Sequence, residues 1–169
     1  MSHHCGKHDF NMVDRASQNV TTKPGPLPPP QLRCPCGVDG RDQAKTYADC
    51  CGRYLDNRET APTAEALMRS RYTAYTLGRE EYLLATWHRS TRPDSLGLAS
   101  APRSQWLGLE VRRHEQRGAD HAVVEFVARY KVGGGRANRL HEISQFAREA
   151  GLWFYVNRDI GVDENSSGR

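Results

Sequence analysis

The sequence predicts an α+β domain, helices packed on one face of an antiparallel sheet, preceded by a small module stapled by its cysteines. Two observations carry this. Hydrophobic positions in residues 59–160 recur first at helical spacing and then at every second residue. Residues 31–58 hold four of the five cysteines but only Leu32, Val38 and Leu55 as large aliphatics. A segment of that size and polarity cannot bury enough apolar surface to fold unaided, so the cysteines must staple it.

The elements follow in chain order. Residues 1–30 read as a disordered leader, with five of the nine prolines in Pro24-Gly-Pro-Leu-Pro-Pro-Pro30 favouring an extended spacer. His3, His4, Cys5 and His8 lie in it and read as opportunistic metal ligands or as residues without a role. After the module, Thr63 caps a first helix, Glu65 sits in its first turn and Gly78 ends it. Ala64, Leu67, Met68, Tyr72 and Tyr75 fall on one side, while Arg69, Thr73 and Thr76 point the other way. A short helix covers Glu80 to Trp87, and Thr91 to Ser104 reads as loop. Period-two strands run over Gln105–Glu115, His121–Val132, Arg139–Arg148 and Leu152–Asp159. Gly133-Gly-Gly135 and Ala150-Gly151 turn the chain between them. Residues 161–169 read as a flexible tail, and the domain from about residue 59 is expected to fold alone.

Composition narrows the function classes. The 169 residues carry a net charge of +4 and 37% hydrophobic residues, with a mean hydropathy of −0.76. No apolar run is long enough to span a bilayer, and the N-terminus lacks the pattern of a secretory signal. The expected compartment is the reducing cytoplasm. No basic block exists; in the module, five basic residues face four acidic ones, which argues against nucleic acid.

Cys34-Pro-Cys36 and, thirteen residues on, Cys50-Cys51 supply four soft ligands of the kind a tetrahedral zinc site requires. Gly37 and Gly52 each follow a cysteine, where tight turns around a metal would use them. In a reducing compartment such a cluster reads as a structural metal site, with redox chemistry or disulfides as the alternatives. Zinc, one per chain, is the expected ion, and iron also suits four thiolates.

Cys34-Pro-Cys-Gly37 followed by Thr46-Tyr-Ala-Asp-Cys-Cys-Gly52 resembles the SEC-C motif, the zinc module at the C-terminus of the translocation ATPase SecA. This chain carries about five extra residues between its cysteine pairs, a small entropic cost in loop closure. Ala61 to Tyr75, Tyr82-Leu-Leu-Ala-Thr-Trp-His88 and His141-Glu-Ile-Ser-Gln-Phe146 are similar to the YchJ family. The resemblance spans roughly residues 33–158. It implies a SEC-C module followed by an NTF2-like domain, a cone of curved sheet closed by helices, in a family without an assigned biochemical activity.

Such cones often enclose a pocket, which directs attention to polar residues on apolar faces. Arg71 and Tyr75 fall within about 20° of Ala64 on the helical wheel, inside the apolar stripe. If Leu140 and Phe146 point inward, so do Glu142 and Ser144; the alternate face carries His141, Ile143 and Gln145. The expectation is an Arg71–Glu142 ion pair inside the cone, flanked by Tyr75 and Ser144, with a structural role as the plainer account. His88 is a further pocket candidate. Trp106 and Trp153 read as core or pocket wall. No residue is assigned as catalytic: the phosphate-loop, nucleophile-elbow and zinc-protease motifs are absent.

The leading expectation is therefore a non-enzymatic zinc adaptor whose module presents a surface to a protein partner. By analogy with SEC-C proteins, that partner is a chaperone, translocation component or ribosome-associated factor, and the NTF2-like domain is a candidate homodimer surface. The second is a small-molecule binder or enzyme using the cone, with Arg71 and Glu142 orienting a polar ligand.

Overall fold

The structure, a computed structural model, describes residues 32–37, 45–102 and 104–158. The expectations for the leader, its histidines and the tail lie outside the described residues. In chain order the elements are α1 (Gly52–Leu55), α2 (Ala64–Leu77), α3 (Glu80–Ala85), β1 (Ser104–Gln116), β2 (His121–Val132), β3 (Asn138–Glu149) and β4 (Leu152–Arg158). The four strands form one antiparallel sheet in sequential order.

Local chemistry sets the ends of α2. Thr63 is extended and its hydroxyl accepts the Ala66 amide at 3.1 Å. Gly78 is left-handed with φ 66°, and the Arg79 amide returns to the Ala74 carbonyl at 2.8 Å. That closure satisfies the terminal carbonyls in a Schellman arrangement, which glycine adopts without steric cost.

The helix is buried on two faces rather than one. Met68, Arg71 and Tyr72 turn toward the sheet, while Ser70 and Thr73, both fully buried, turn away from it. Thr73 does point away from the apolar stripe as the wheel predicts, but the cysteine module covers it, with Cys34 Sγ 3.8 Å from its hydroxyl. Ser70 meets the Tyr82 hydroxyl of α3 at 2.7 Å. Apolar burial thus runs continuously from Cys36, Cys51 and Leu55 through Leu67 to Val124, Phe126 and Phe146 of the sheet. The domain from residue 59 therefore shares part of its buried cluster with the module.

Three irregularities bend the sheet. Register shifts fall between Trp106 and Gly108, between Val111 and Arg113, and between Gln145 and Phe146. Each extra residue curls its strand locally, so long strands can wrap around a helix. Ala150 and Gly151, both at positive φ, close the last hairpin. The short helix stops at Ala85, two residues before the predicted end, because the chain then joins the sheet: Trp87 forms a parallel bridge with Tyr155. The Tyr155 amide donates to the Thr86 carbonyl at 2.9 Å, and the His88 amide to the Tyr155 carbonyl at 2.7 Å. The loop beyond is tied back to α3 by Glu80, whose carboxylate accepts the amides of Leu96, Gly97 and Leu98.

Candidate functional site: a cysteine cluster and an aromatic cavity

Two sites emerge, one on either side of α2. At the first, an isolated bridge between Arg33 and Thr46 brings the two cysteine pairs together. The Cys34 amide donates to the Lys45 carbonyl at 2.9 Å and the Tyr47 amide to the Leu32 carbonyl at 2.7 Å. Gly37 turns the first knuckle at φ 59°. Gly52 serves a different need, close approach: a Cβ there would lie 2.6 Å from the Tyr47 carbonyl oxygen.

The four sulfurs lie within 4.8 Å of one another. Cys36 and Cys50 are 3.6 Å apart, Cys50 and Cys51 4.0 Å. A zinc–thiolate tetrahedron with bonds of about 2.3 Å has sulfur–sulfur edges of about 3.8 Å, so these spacings suit a metal. They exceed the roughly 2.05 Å of a disulfide, and all four cysteines are free. Ionisation makes the same point. Hydrogen bonding from Cys36, then Cys50 and Cys51, holds Cys34 below the ordinary thiol range. Hydrogen bonding to Cys34, together with neighbouring thiols and burial, pushes Cys51 above it. A buried cluster of this kind reaches the four-thiolate state only with a cation at its centre. The donor set suits a metal ion, and four protein ligands would leave it no open position.

The second site is a cavity of about 330 Å³ between α2 and the sheet. Tyr72, Tyr75, Trp87, Trp106, Phe126, Phe146 and Tyr155 supply its aromatic wall, and Arg71, Glu142, Ser144 and Arg158 its polar groups. Sheet register explains the placement: Glu142 pairs with Phe126, Ser144 with Val124 and Leu140 with Ala128, so all share the inner face. His141 lies on the outer face, where its Nε2 meets Glu125 at 2.8 Å. Trp106 packs edge-on against Tyr72 with centroids 5.4 Å apart. Trp153 is core, its indole donating to the Pro62 carbonyl.

Arg71 and Glu142 share this cavity, but not as the ion pair that the sequence suggests. Arg71, 5% exposed, donates through Nη1 to the Leu83 carbonyl at 2.7 Å and the Thr86 hydroxyl at 2.8 Å. Its guanidinium carbon lies 4.6 Å from the Tyr155 ring centre and 5.1 Å from that of Trp87, a cation–π contact on each. Glu142 instead accepts from Ser144 at 2.7 Å and from the Tyr155 hydroxyl at 3.2 Å, and Arg158 lies 3.6 Å away. Through Nη1 the arginine is held by the C-terminal end of α3, which a wheel of α2 does not reveal. Burial pushes the Arg71 pKa down and those of Tyr75 and Tyr155 up; Glu142 adds to the rise at Tyr155.

His88 does not line the cavity. Across the bridge, successive side chains alternate, so Trp87 turns inward and His88 outward. There its Nε2 meets Glu149 at 3.0 Å and its Nδ1 the Ser90 hydroxyl at 2.6 Å, pinning the edge to the last hairpin. Trp87 and Tyr155, which flank the arginine, and Arg158, beside Glu142, are cavity residues that sequence reasoning missed. One signal was available: period two puts Tyr155 on the same face as the buried Trp153.

A four-cysteine knuckle fused to a helix-filled, curved antiparallel sheet defines a class of protein, and comparison with known chains agrees. The family described as YchJ, middle NTF2-like domain, matches residues 63–158. A UPF0225 protein of Polaromonas sp. is 54% identical over 133 residues, 77% of this chain and 94% of that one. One from Chromobacterium violaceum is 57% identical over 129 residues, 73% and 90% respectively. Among solved structures, a SEC-C motif containing protein from Rhodopseudomonas palustris aligns with TM-score 0.66 at 36% identity, over 76% of this chain and 98% of that one. Another, from Psychrobacter arcticus, gives 0.66 at 31% identity, over 76% and 82%. The chain belongs to the YchJ (UPF0225) family, with an NTF2-like domain.

Proposed function

We propose that this chain is a zinc-stapled binding protein whose working site is the cavity beneath α2. One zinc ion per chain, held by Cys34, Cys36, Cys50 and Cys51, ties the knuckle to the helix. Its role is structural, since four thiolates complete a tetrahedron; iron is the ion it must be distinguished from. The observation that carries the binding role is Arg71: a guanidinium almost wholly buried, on the wall of an aromatic cavity and without a carboxylate within 4 Å among the described residues. Natural pockets of this size and lining hold small molecules oriented by a few polar groups. Among the described residues no helix is long and apolar enough to cross a membrane, and a cluster of reduced thiols suits the cytoplasm.

An adaptor role is the second reading, favoured by the knuckle itself. Leu32 beside the Arg33–Thr46 bridge is 47% exposed. A shallow groove of about 210 Å³ separates the knuckle from the start of α2, edged by Lys45, Asp49, Arg53, Glu65 and Arg69. Mixed charge there suits a protein partner better than a polyanion. A chaperone, translocation component or ribosome-associated factor is the class that SEC-C modules elsewhere suggest, and the NTF2-like domain is the candidate surface for a homodimer.

Native mass spectrometry of the full chain, purified without chelator, tests both readings. The expected result is one zinc per chain and a reproducible organic adduct that Arg71→Met loses with zinc retained. A chain that never carries an adduct, and whose crosslinks to another protein vanish in Cys50→Ser, would transfer the function to the knuckle.

A further inference from the structure

We infer that the cavity takes a small organic carboxylate, anchored on the free edge of the Arg71 guanidinium with its apolar body among the aromatic rings. This rests on the reading of the cavity as the binding site and assigns the ligand's chemistry.

The argument starts from hydrogen-bond accounting. A guanidinium carries five N–H donors and cannot shed its charge in a protein. Both hydrogen bonds of Arg71 among the described residues leave from Nη1, and both go to neutral acceptors, the Leu83 carbonyl and the Thr86 hydroxyl. Nε and Nη2 have no partner there. Neither is among the sealed side-chain atoms lacking a partner, which among the described residues are Arg53 Nε and His114 Nε2. The open nitrogens of Arg71 therefore reach free space, and the space its side chain borders is the cavity. Rings over the face of the cation relieve part of its charge but do not accept its in-plane N–H groups.

Charge gives the second half. Glu142 is occupied by Ser144, Tyr155 and Arg158. With Arg71 and Arg158 against Glu142, and tyrosines that stay neutral, the lining carries one net positive charge. A monoanion neutralises it. A carboxylate also matches the fork of Nε and Nη2, which pairs with two coplanar oxygens. A phosphate dianion would overshoot the charge, and the cavity wall is formed by side chains of a helix and strands rather than by a nest of backbone amides. The remaining wall is aromatic, so the rest of the ligand is apolar and of about aromatic-ring size, as a cavity near 330 Å³ requires.

Benzoate is the probe, with benzamide as its neutral isostere and inorganic phosphate as the plain anion, titrated into the zinc-loaded full chain. Trp87 and Trp106 line the cavity and Trp153 does not, so the indole NMR resonances report where binding occurs. The expected result is saturable shifts of Trp87 and Trp106, with benzoate at least tenfold tighter than benzamide or phosphate. Arg71→Met should lose benzoate binding. Since that variant also forfeits the bonds to α3, Ala128→Leu provides a second arm: it fills the cavity, leaves Arg71 in place and should abolish the shifts. Equal binding of benzamide and benzoate would overturn the carboxylate assignment while leaving the cavity a binding site, and equal binding of phosphate would reduce it to an anion hole. No shift with any probe would end both readings, as would benzoate binding that survives in Arg71→Met.

Discussion

Glu80 accepts the Leu96 amide at 2.8 Å and the Leu98 amide at 2.9 Å, with that of Gly97 at 3.2 Å. These bonds, Leu96 first and Leu98 next, hold its carboxyl below the ordinary glutamate value of about 4.5. A lowered folded-state pKa contributes stability that is present above the unfolded value and is lost as pH falls through the folded one. The loop should therefore stay protected down to about pH 4.5 and open below it, and Glu80→Gln should open it at neutral pH. Amide hydrogen exchange at Leu96 and Leu98 reads this directly; unchanged protection in Glu80→Gln would refute it. Gly52 makes a second prediction at this scale. Adding a Cβ 2.6 Å from the Tyr47 carbonyl forces apart the turn that carries Cys50 and Cys51. Gly52→Ala should weaken zinc binding by about tenfold or more, the range seen when groups that orient metal ligands are lost. Competition with a chelating dye would measure it.

At the scale of elements, α2 shows what a sequence discloses and what it withholds. Its ends were legible because capping is local: Thr63 and Gly78 act on residues three or four positions away. Thr63→Ala should cost about 1 kcal/mol in denaturant unfolding, with the fold otherwise intact. The strands were legible for a similar reason, since alternation along Ala122, Val124, Phe126 and Ala128 marks the inner face without reference to any partner. The second buried face of the helix was not legible. Ser70 and Thr73 look like solvent-facing polar residues until Tyr82 and Cys34 cover them, and those contacts depend on where other segments dock. Arg71 stands between the two cases. Its inward direction follows from the helical wheel, whereas its partners are set by α3 ending at Ala85 and the chain entering the sheet at Trp87. The same bridge decides that Trp87, not His88, faces the cavity.

Over the whole molecule, the cysteine cluster and the cavity lie on opposite faces of one helix, so the effect of the proposed zinc ion on stability should extend past the knuckle. Cys36, Cys51 and Leu55 belong to the same buried cluster as Leu67 and Phe146. Arg79, just past the end of α2, reaches the Leu55 carbonyl at 3.4 Å and Asp56 at 3.9 Å. An ion that binds only the folded state adds its binding free energy to the stability of every element that melts with its site. Chelation should accordingly lower a single cooperative transition, by on the order of 10 °C if a few kcal/mol of zinc binding are lost. It should not peel away the knuckle and leave a native domain behind. Differential scanning calorimetry, with near-UV circular dichroism of Tyr72 and Trp106 as a probe of the cavity wall, separates these outcomes. One transition moving down, with the aromatic signal lost alongside it, is expected. A cavity signal that persists at its original midpoint after the zinc is gone would mean that the core divides at α2 and that the knuckle is an independent unit.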